Sequence, residues 1–489
     1  MSQSKRRLKL SEDEIRAVYR QGEDAVVSLV TQLLERLDSV ESRLEALEKR
    51  PKKTSRNSHK PPSGDGFGKR TKSLRVKSDK PSGGQPGHPG NTLTWSETVD
   101  WVEAHDVTNC RGCGASLKTV PTEGWLARQV MDIPSIEVMV TEHQVAVKSC
   151  HHCGQRNQGE FPPEASNVVQ YGPRLKGMMV YLLDGQLLPA QRTCEVLSDL
   201  LGVQVSEGTL YTSRTQCFER LASVEQSIHE ILVTSPKVHF DETGLRVNGK
   251  LWWLHVACTN GLTYYFVHPK RGQVAMDEMA ILPEFSGKAI HDGWKSYQGY
   301  DCEHFLCNAH HLRELRYMLE RYEQWWAYQL SLLLVTILTQ VQAAKADGKI
   351  ALPLDQIRGF ENRYADILAQ GFETNPMPTP PLNTAKKRGR IKRSPPRNLL
   401  ERLKSQQASV LGFMHDFDVP FDNNQAERDV RMMKLKQKIS GCFRSVDGAR
   451  MFCRIRGYFS TLRKYDQPIL DTLIRVFSGQ SVALTPQPE

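Results

Sequence analysis

The stretch KVHFDETGLRVNGKLWWLHVACTNGLTYYFV, residues 237–267, decides the fold. It contains three runs rich in β-branched and aromatic residues, separated by Asn248-Gly249 and Asn260-Gly261. Asn-Gly between two such runs is a strong hairpin signal, because both residues tolerate the positive φ angles of a tight turn. We therefore predict three consecutive antiparallel strands in this stretch.

The elements that follow complete the predicted core. We expect a helix over 274–282, a short apolar strand in KAIHDGW (288–294) and a further strand in HFLC (304–307). This order of strands and helices is that of a ribonuclease-H-like sheet, in which the first strand is central and lies beside the fourth. The predicted fold class is a multidomain α/β protein with an RNase-H-like mixed-sheet catalytic core.

Three acidic residues mark the predicted site. Asp241 lies on the first strand and Asp292 ends the fourth, so this topology would make them neighbours. Glu427 falls near the first turn of a helix that begins in DNNQAER (422–428). We predict that these three carboxylates converge.

Two other acids are alternatives. Glu242 could replace Asp241, but it points to the opposite face of the strand, so only one of the two can join the site. Asp422 could replace Glu427, although Asp422, or Asn424, is better suited to cap the helix.

Carboxylates from three separate elements suit phosphoryl transfer on DNA. Such chemistry needs an activated water or 3′-hydroxyl and a stabilised leaving oxygen, and two Mg²⁺ ions about 4 Å apart can supply both. Mg²⁺ prefers hard carboxylate oxygens. Without cations the carboxylates would repel one another, so we predict a site for two Mg²⁺ ions, with Mn²⁺ as a substitute.

Two Cys-x-x-Cys knuckles predict a structural zinc ion. They are Cys110-Arg-Gly-Cys113 and Cys150-His-His-Cys153, and each is followed by a glycine. Four thiolates form a closed tetrahedral zinc site, although His151 or His152 could replace a cysteine. Residues 135–147 alternate in hydropathy and are predicted as strands of a zinc ribbon. A disulfide framework and a redox motif are the alternatives.

An apolar heptad near the N-terminus predicts a short coiled coil and self-association. Its positions are Val26, Val30, Leu33, Leu37, Val40, Leu44 and Leu47. The alternative is a single amphipathic helix packed on its own domain.

Helical patterns between the knuckles and the predicted sheet resemble a helix-turn-helix. We predict helices over Arg174–Leu183 and Pro189–Leu201, and a third that starts after Ser206 as N-cap. Thr209, Thr212 and Arg214 on that third helix are candidate DNA contacts. Any packed helical hairpin gives the same pattern, so plain packing is the alternative.

The net charge of +10 is concentrated in two segments. Residues 51–80 hold ten Lys or Arg and two acids, and residues 386–397 hold seven Lys or Arg and no acid. We predict polyanion binding, with Lys386, Lys387 and Arg388 as DNA contacts; solvated linkers are the alternative.

No membrane span or signal peptide is predicted. The most apolar run, Leu330–Leu338, is too short to cross a bilayer and is expected to be a buried helix. The expected location is the cytoplasm.

The predicted domains follow from these boundaries. They are a coiled-coil segment (1–50), a disordered basic linker (51–95), a zinc-binding domain (96–165), a helix-turn-helix-like DNA-binding domain (166–230), a first segment of the catalytic core (231–316), a helical insertion (317–400), a second segment of the catalytic core with the third acid (401–478) and a tail (479–489).

The chain resembles the large transposase of IS66-type bacterial insertion sequences. The resemblance rests on the heptad, the GGQPGHPG hinge (83–90), the paired knuckles, HFDETGLRV, IHDGW, LCNAHHLRELRY, DNNQAERDVR and KQKISGCFRS, in order over nearly the whole chain. It implies a DDE catalytic domain in which Asp241, Asp292 and Glu427 are the catalytic acids. It also implies DNA strand cleavage and transfer by a bacterial, nucleoid-associated enzyme.

The resemblance and the residues together imply partners. The DNA partners are the terminal inverted repeats of the element and its target. The further predicted DNA contacts are His310, Arg313, Arg428, Arg431, Lys434 and Lys438. For His310 and Arg313 the alternative is support of the site, and for the last four it is a solvated helix face. Self-association and accessory proteins of the element are also expected. A nuclease that does not join strands and a catalytically inactive DNA-binding regulator are the alternative functions.

Overall fold

The computed structural model describes residues 11–48, 93–162, 164–377 and 393–480. Its helices are α1 (Glu12–Arg20), α2 (Glu23–Glu48), α3 (Pro173–Val180), α4 (Ala190–Leu201), α5 (Glu207–Arg220), α6 (Ala222–Thr234), α7 (Gln273–Met279), α8 (Asn308–Tyr322), α9 (Trp325–Ala346), α10 (Leu354–Thr374), α11 (Pro395–Ser405), α12 (Gln407–His415), α13 (Asn424–Ser440), α14 (Val446–Lys464) and α15 (Ile469–Phe477). Its strands are β1 (Val147–Ser149), β2 (Arg156–Gln158), β3 (Lys237–Val247), β4 (Lys250–Cys258), β5 (Thr263–His268), β6 (Lys288–His291) and β7 (Glu303–Leu306). The described chain forms two compact units, one with residues 11–48 and 221–467 and one with residues 93–220 and 468–480.

The first unit contains a five-stranded mixed sheet in the order β5-β4-β3-β6-β7. Strands β3, β4 and β5 pair antiparallel, and β6 pairs parallel with both β3 and β7. The prediction that the first strand is central and lies beside the fourth is confirmed. The first hairpin turns at Asn248 and Gly249, with φ angles of 48° and 73°, as the Asn-Gly pair requires.

Side chains of β3 alternate between two differently packed faces. Phe240 belongs to an apolar cluster with residues of α6 and α7, including Leu232 and Met276. His239, one residue earlier, points instead toward the start of α13, where its ring contacts Asn423. The strand therefore presents one face to an apolar core and the other to α13.

Five helices, α8 to α12, lie between β7 and α13 and share one apolar cluster. The described residues of the predicted helical insertion, 317–377 and 393–400, are mainly helical, and the helices continue to His415. Leu330 and Leu334 on α9 are fully buried, as expected for the apolar run. Among the described residues, α9 is the one helix long and apolar enough to cross a membrane; its buried face packs into this cluster.

The second unit packs α3, α4, α5 and α15 around a small apolar core that includes Met179, Leu197 and Leu210. The predicted helices are confirmed. Gly202 adopts a left-handed φ of 65° at the end of α4, and Ser206 Oγ accepts a hydrogen bond from Thr209 N at 3.1 Å, as an N-cap does.

The predicted strands at 135–147 are wrong except for the last residue. Residues 121–146 form no strand, and β1 begins only at Val147. Alternating hydropathy predicts which face a strand would bury, but a strand also needs a hydrogen-bonded neighbour. In this region of the described chain, β1 and β2 pair only with each other.

The N-terminal segment is helical, as the heptad requires, and α1 packs against α2. Four of its seam residues are exposed on α2: Val30, Leu33, Leu37 and Val40. The hinge 83–90, the basic residues 51–80 and the basic residues Lys386, Lys387 and Arg388 lie outside the described residues.

Candidate active site

Asp241 lies in the middle of the sheet on the α13-facing side of β3. Its Oδ1 accepts a hydrogen bond from Glu242 N at 2.8 Å. Burial raises the pKa of Asp241 well above its ordinary value, and the neighbouring carboxylates of Glu242, Asp292 and Glu427 raise that pKa further. The last two are the predicted partners of Asp241, so the three acids share one electrostatic neighbourhood.

Asp292 follows β6 directly, at the end of a strand parallel to β3. Gly293 has a φ of 83°, which favours glycine, and makes the tight turn after the acid. Asp292 Oδ1 accepts a hydrogen bond from Trp294 N at 2.8 Å, so the turn itself fixes the carboxylate.

Glu427 lies on the first turn of α13, as predicted. The N-cap of this helix is Asn423, not Asp422 or Asn424; Asp422, one residue before the cap, accepts a hydrogen bond from Asn424 N at 3.0 Å. Arg313 Nη2 lies 3.4 Å from Glu427 Oε1, and His310 Nδ1 lies 3.9 Å from the same oxygen. Both were predicted either to contact DNA or to support the site. The structure places them where they hold the third acid.

Asn423 ties the start of α13 to the sheet, and sequence reasoning missed it. Its Nδ2 donates to Phe240 O at 2.8 Å, and its Oδ1 lies 2.8 Å from His239 Nδ1. Its backbone N–H donates to Cys307 Sγ at 3.2 Å, and its carbonyl accepts from Glu427 N at 3.2 Å. One fully buried side chain thus fixes the helix that carries Glu427 to the strand that carries Asp241.

Glu242, the alternative to Asp241, is held on the other face of β3. Its Oε1 accepts from Arg271 Nη2 at 2.6 Å, and its Oε2 accepts from Tyr297 Oη at 2.5 Å. Arg271 is itself stacked between two rings, 4.9 Å from Trp253 and 4.2 Å from Trp294. Burial and Asp292 raise the pKa of Glu242, whereas Arg271 and Tyr297 lower it. Its hydrogen bonds to Arg271 and Tyr297 favour Asp241 for the site.

The residues of this site fit divalent cations. The carboxylates of Asp292 and Glu427 raise the pKa of the buried Asp241, and a bound cation would relieve this repulsion. Carboxylate oxygens are the ligands that Mg²⁺ prefers.

The acids are not arranged around a single point. Among the described residues, one group of three His, Cys, Asp or Glu side chains has its ligand atoms within 4.8 Å of one another. This group consists of Cys307, His310 and Glu427. The three acids are more widely spaced.

The two cysteine knuckles have the same local geometry. Cys110 N donates to Ala115 O and Cys150 N donates to Gln155 O, both at 2.8 Å, and Gly114 and Gly154 have φ angles of 76° and 74°.

The first cysteine of each knuckle has a lowered pKa. Backbone N–H groups, foremost those of Cys113 and Cys153, lower the pKa of Cys110 and Cys150. This donor set fits zinc. Among the described residues, no three of the four knuckle sulfurs lie within 4.8 Å of one another.

Two predicted DNA contacts are corrected by the structure. Arg214 is buried, and its Nη2 lies 2.7 Å from Asp184 Oδ1. Lys434 Nζ donates to Gly244 O at 2.7 Å and so fastens α13 to β3. A basic residue on a helix looks the same in sequence whether it faces DNA or an acceptor within the fold.

The other predicted DNA contacts on described helices are accessible to different degrees. On α13, Arg428, Arg431 and Lys438 are exposed. On α5, Thr212 is exposed and Thr209 is half-buried.

Family models agree with this interpretation of the chain. Residues 168–451 match a model described as "Transposase IS66 family", and residues 108–154, which hold both knuckles, match the zinc-finger binding domain of transposase IS66. Residues 6–94 match a family of unknown function. No curated protein matches the chain. Because the transposase model covers more than half of the sequence, this protein belongs to the IS66 transposase family.

Proposed function

We propose that the protein cuts and joins DNA at the ends of its insertion sequence, by divalent-metal-dependent phosphoryl transfer in an RNase-H-like core. Asp241, Asp292 and Glu427 would hold two Mg²⁺ ions. The observation that carries the proposal is the placement of the acids: Asp241 lies on β3, Asp292 directly follows the neighbouring parallel strand β6, and Glu427 lies on the first turn of α13. Burial raises the pKa of Asp241, and Glu242, Asp292 and Glu427 raise it further. Two strands and a distant helix supply these acids, in the order that the sheet topology predicts.

When bound, Mg²⁺ ions would activate the attacking oxygen and stabilise the leaving oxygen. The protein holds the carboxylates in position. Asp292 is fixed by its own turn, and Glu427 is oriented by Arg313 and, more distantly, by His310.

Asn423 acts as a positioning residue for Glu427, since its hydrogen bonds link the start of α13 to Phe240 and His239 on β3. Arg271 neutralises Glu242 and so leaves the other face of β3 as the metal-binding face.

The DNA would approach along α13. Arg428, Arg431 and Lys438 follow Glu427 on this helix and are exposed, so they are placed to bind phosphates near the acids. Thr209 and Thr212 of the second unit, and the basic residues Lys386–Arg388, are further proposed DNA contacts.

The remaining proposals concern assembly. One zinc ion would be held by Cys110, Cys113, Cys150 and Cys153, and α2 would pair with its counterpart in a second copy through the exposed Val30 to Val40 seam. Accessory proteins of the same element are further proposed partners. The proposed location is the cytoplasm.

The test is a cleavage and joining assay on labelled element ends with Mg²⁺. Asp292→Ala should lower the rate of both steps by at least about a thousandfold, on the order of 4 kcal/mol in barrier. Asp301→Ala removes an exposed carboxylate from the loop before β7 and should behave as wild type.

Each other outcome excludes one element of the proposal. Cleavage without joining would identify a nuclease. Specific DNA binding without Mg²⁺-dependent nicking would identify a regulator. Equal activity of Asp292→Ala and wild type would remove Asp292 from the site.

A further inference from the structure

Cys307, His310 and Glu427 form a compact group of three different ligand types. Their sulfur, ring nitrogen and carboxylate oxygen all lie within 4.8 Å of one another. His310 Nδ1 and Glu427 Oε1 are 3.9 Å apart. The Cys307 side chain is buried, and those of His310 and Glu427 are only 14% and 21% exposed.

Local structure holds this group in place. Cys307 directly precedes α8 and His310 lies on its first turn, so a separation of three residues directs both side chains to one side. His310 N donates to Cys307 O at 3.1 Å, and Asn423 N donates to Cys307 Sγ at 3.2 Å. Glu427 then approaches from α13, four residues after Asn423.

The ligand types differ in kind from those of the acid triad. Thiolate and imidazole favour Zn²⁺ and similar transition metals over Mg²⁺, which is bound by hard oxygens. Zn–S and Zn–N bonds of about 2.3 and 2.0 Å put neighbouring ligands of one tetrahedral ion roughly 3.5 Å apart. The observed 3.9 Å between His310 Nδ1 and Glu427 Oε1 therefore needs only a small closure.

We propose that Cys307, His310 and Glu427 form a second metal site, for Zn²⁺ or another soft divalent ion, which shares Glu427 with the proposed Mg²⁺ site. An ion bound there inhibits the enzyme because it takes Glu427 away from Mg²⁺. The inhibitory half rests on the proposed function, whereas the binding half does not. On binding, the Cys307 thiol gives its proton to solvent and the ion competes with Arg313 for Glu427. Water would occupy the fourth position.

Co²⁺ is the probe for binding, because a thiolate bound to it gives a charge-transfer absorption band. Protein that already holds zinc in its knuckles is titrated with Co²⁺ alone. Wild type should show this band from one further equivalent. Cys307→Ser should lose it, since serine can still accept the Asn423 N–H but supplies no sulfur. Cys442→Ser, which changes an exposed cysteine, is the matched control and should keep the band.

The activity arm measures inhibition by Zn²⁺ at a fixed Mg²⁺ concentration, relative to the rate of each variant with Mg²⁺ alone. Losing one ligand should raise the half-inhibitory Zn²⁺ concentration of Cys307→Ser by at least about tenfold. Cys442→Ser should match wild type. His310→Gln is the second variant if thermal melting shows that Cys307→Ser does not fold.

The outcomes separate the claims. Equal Co²⁺ bands in wild type and Cys307→Ser would overturn the site. A band that Cys307→Ser abolishes, together with equal Zn²⁺ inhibition of both proteins, would overturn the inhibitory role. A wild type that shows the band but neither cuts nor joins DNA would leave the site standing and refute the proposed function instead.

Discussion

Replacing Asn423 by alanine tests how the third acid is positioned. Asn423 Nδ2 donates to Phe240 O, so its Oδ1 is the acceptor and His239 Nδ1 carries the proton. Alanine removes both hydrogen bonds and keeps only the backbone contacts of Asn423 with Cys307 and Glu427. The start of α13 would then be free to move relative to β3.

The expected loss of unfolding free energy follows from the two polar groups that lose their hydrogen bond to Asn423. His239 is buried, and the Phe240 carbonyl is bonded within the buried interior. Each unsatisfied buried group costs about 1–3 kcal/mol, so the variant should lose about 2–6 kcal/mol of unfolding free energy. A shift of about 1 Å in a catalytic group costs on the order of a hundredfold in rate, and the DNA cleavage rate should fall by that amount.

The assay measures the cleavage rate as a function of Mg²⁺ concentration, beside thermal unfolding. A displaced Glu427 should raise the Mg²⁺ concentration at half-maximal rate, which a loss of stability alone would not do at a temperature where the protein is folded. Asn424→Ala is the matched control, because Asn424 is exposed and its side chain bonds only to Asp422 in the described chain. It should keep both the rate and the Mg²⁺ dependence of wild type.

The reasoning is refuted if folded Asn423→Ala cleaves within about threefold of wild type, which corresponds to only ~0.6 kcal/mol, with an unchanged Mg²⁺ requirement. A drop of equal size in Asn424→Ala would also refute it, since that result would assign the effect to the helix end in general.

Three further predictions concern stability and zinc. Arg214→Ala removes the buried ion pair with Asp184 and should cost about 3–5 kcal/mol of unfolding free energy; an unchanged thermal midpoint would show that this ion pair does not stabilise the fold. Burial lowers the pKa of His255 from 6.5 to about 4, so the unfolded chain binds more protons between these values and stability falls as pH drops below 6.5. About 2 kcal/mol of unfolding free energy should be lost at pH 5 relative to pH 7 through this residue, and a pH series on His255→Gln that shows the full wild-type loss would contradict it. Cys110→Ser should release the zinc held by the knuckles, measured by a colorimetric zinc assay, whereas Cys442→Ser should retain it; retention by both would argue against Cys110 as a ligand.

Features that depend on local chemistry could be predicted from sequence. Asn248-Gly249 gave the first hairpin because only a few residues adopt two positive φ angles in succession. The position of Glu427 on the first helical turn followed in the same way from short-range spacing, although the helix begins after Asn423 and not after the predicted cap Asp422. The order of the strands then placed Asp241 beside Asp292.

Features that depend on distant partners could not be predicted. Arg214 meets Asp184 thirty positions earlier in the chain, and Lys434 meets the carbonyl of Gly244, so neither contact leaves a local pattern. Asn423 lies in the same sequence motif as Glu427, but its role depends on the carbonyl of Phe240, 183 residues away. The strands expected at 135–147 failed because hydropathy carries no information about the partner strand.

The placement of the helical insertion before α13 has a consequence during protein synthesis. Asp241 and Asp292 leave the ribosome well before Asn423 and Glu427, since α8 to α12 must be translated in between. A nascent chain, or a product of aborted translation, would thus lack both the last acid and its anchor. On the proposed mechanism such fragments cannot nick DNA, and only a chain that has been translated beyond the start of α13 can do so.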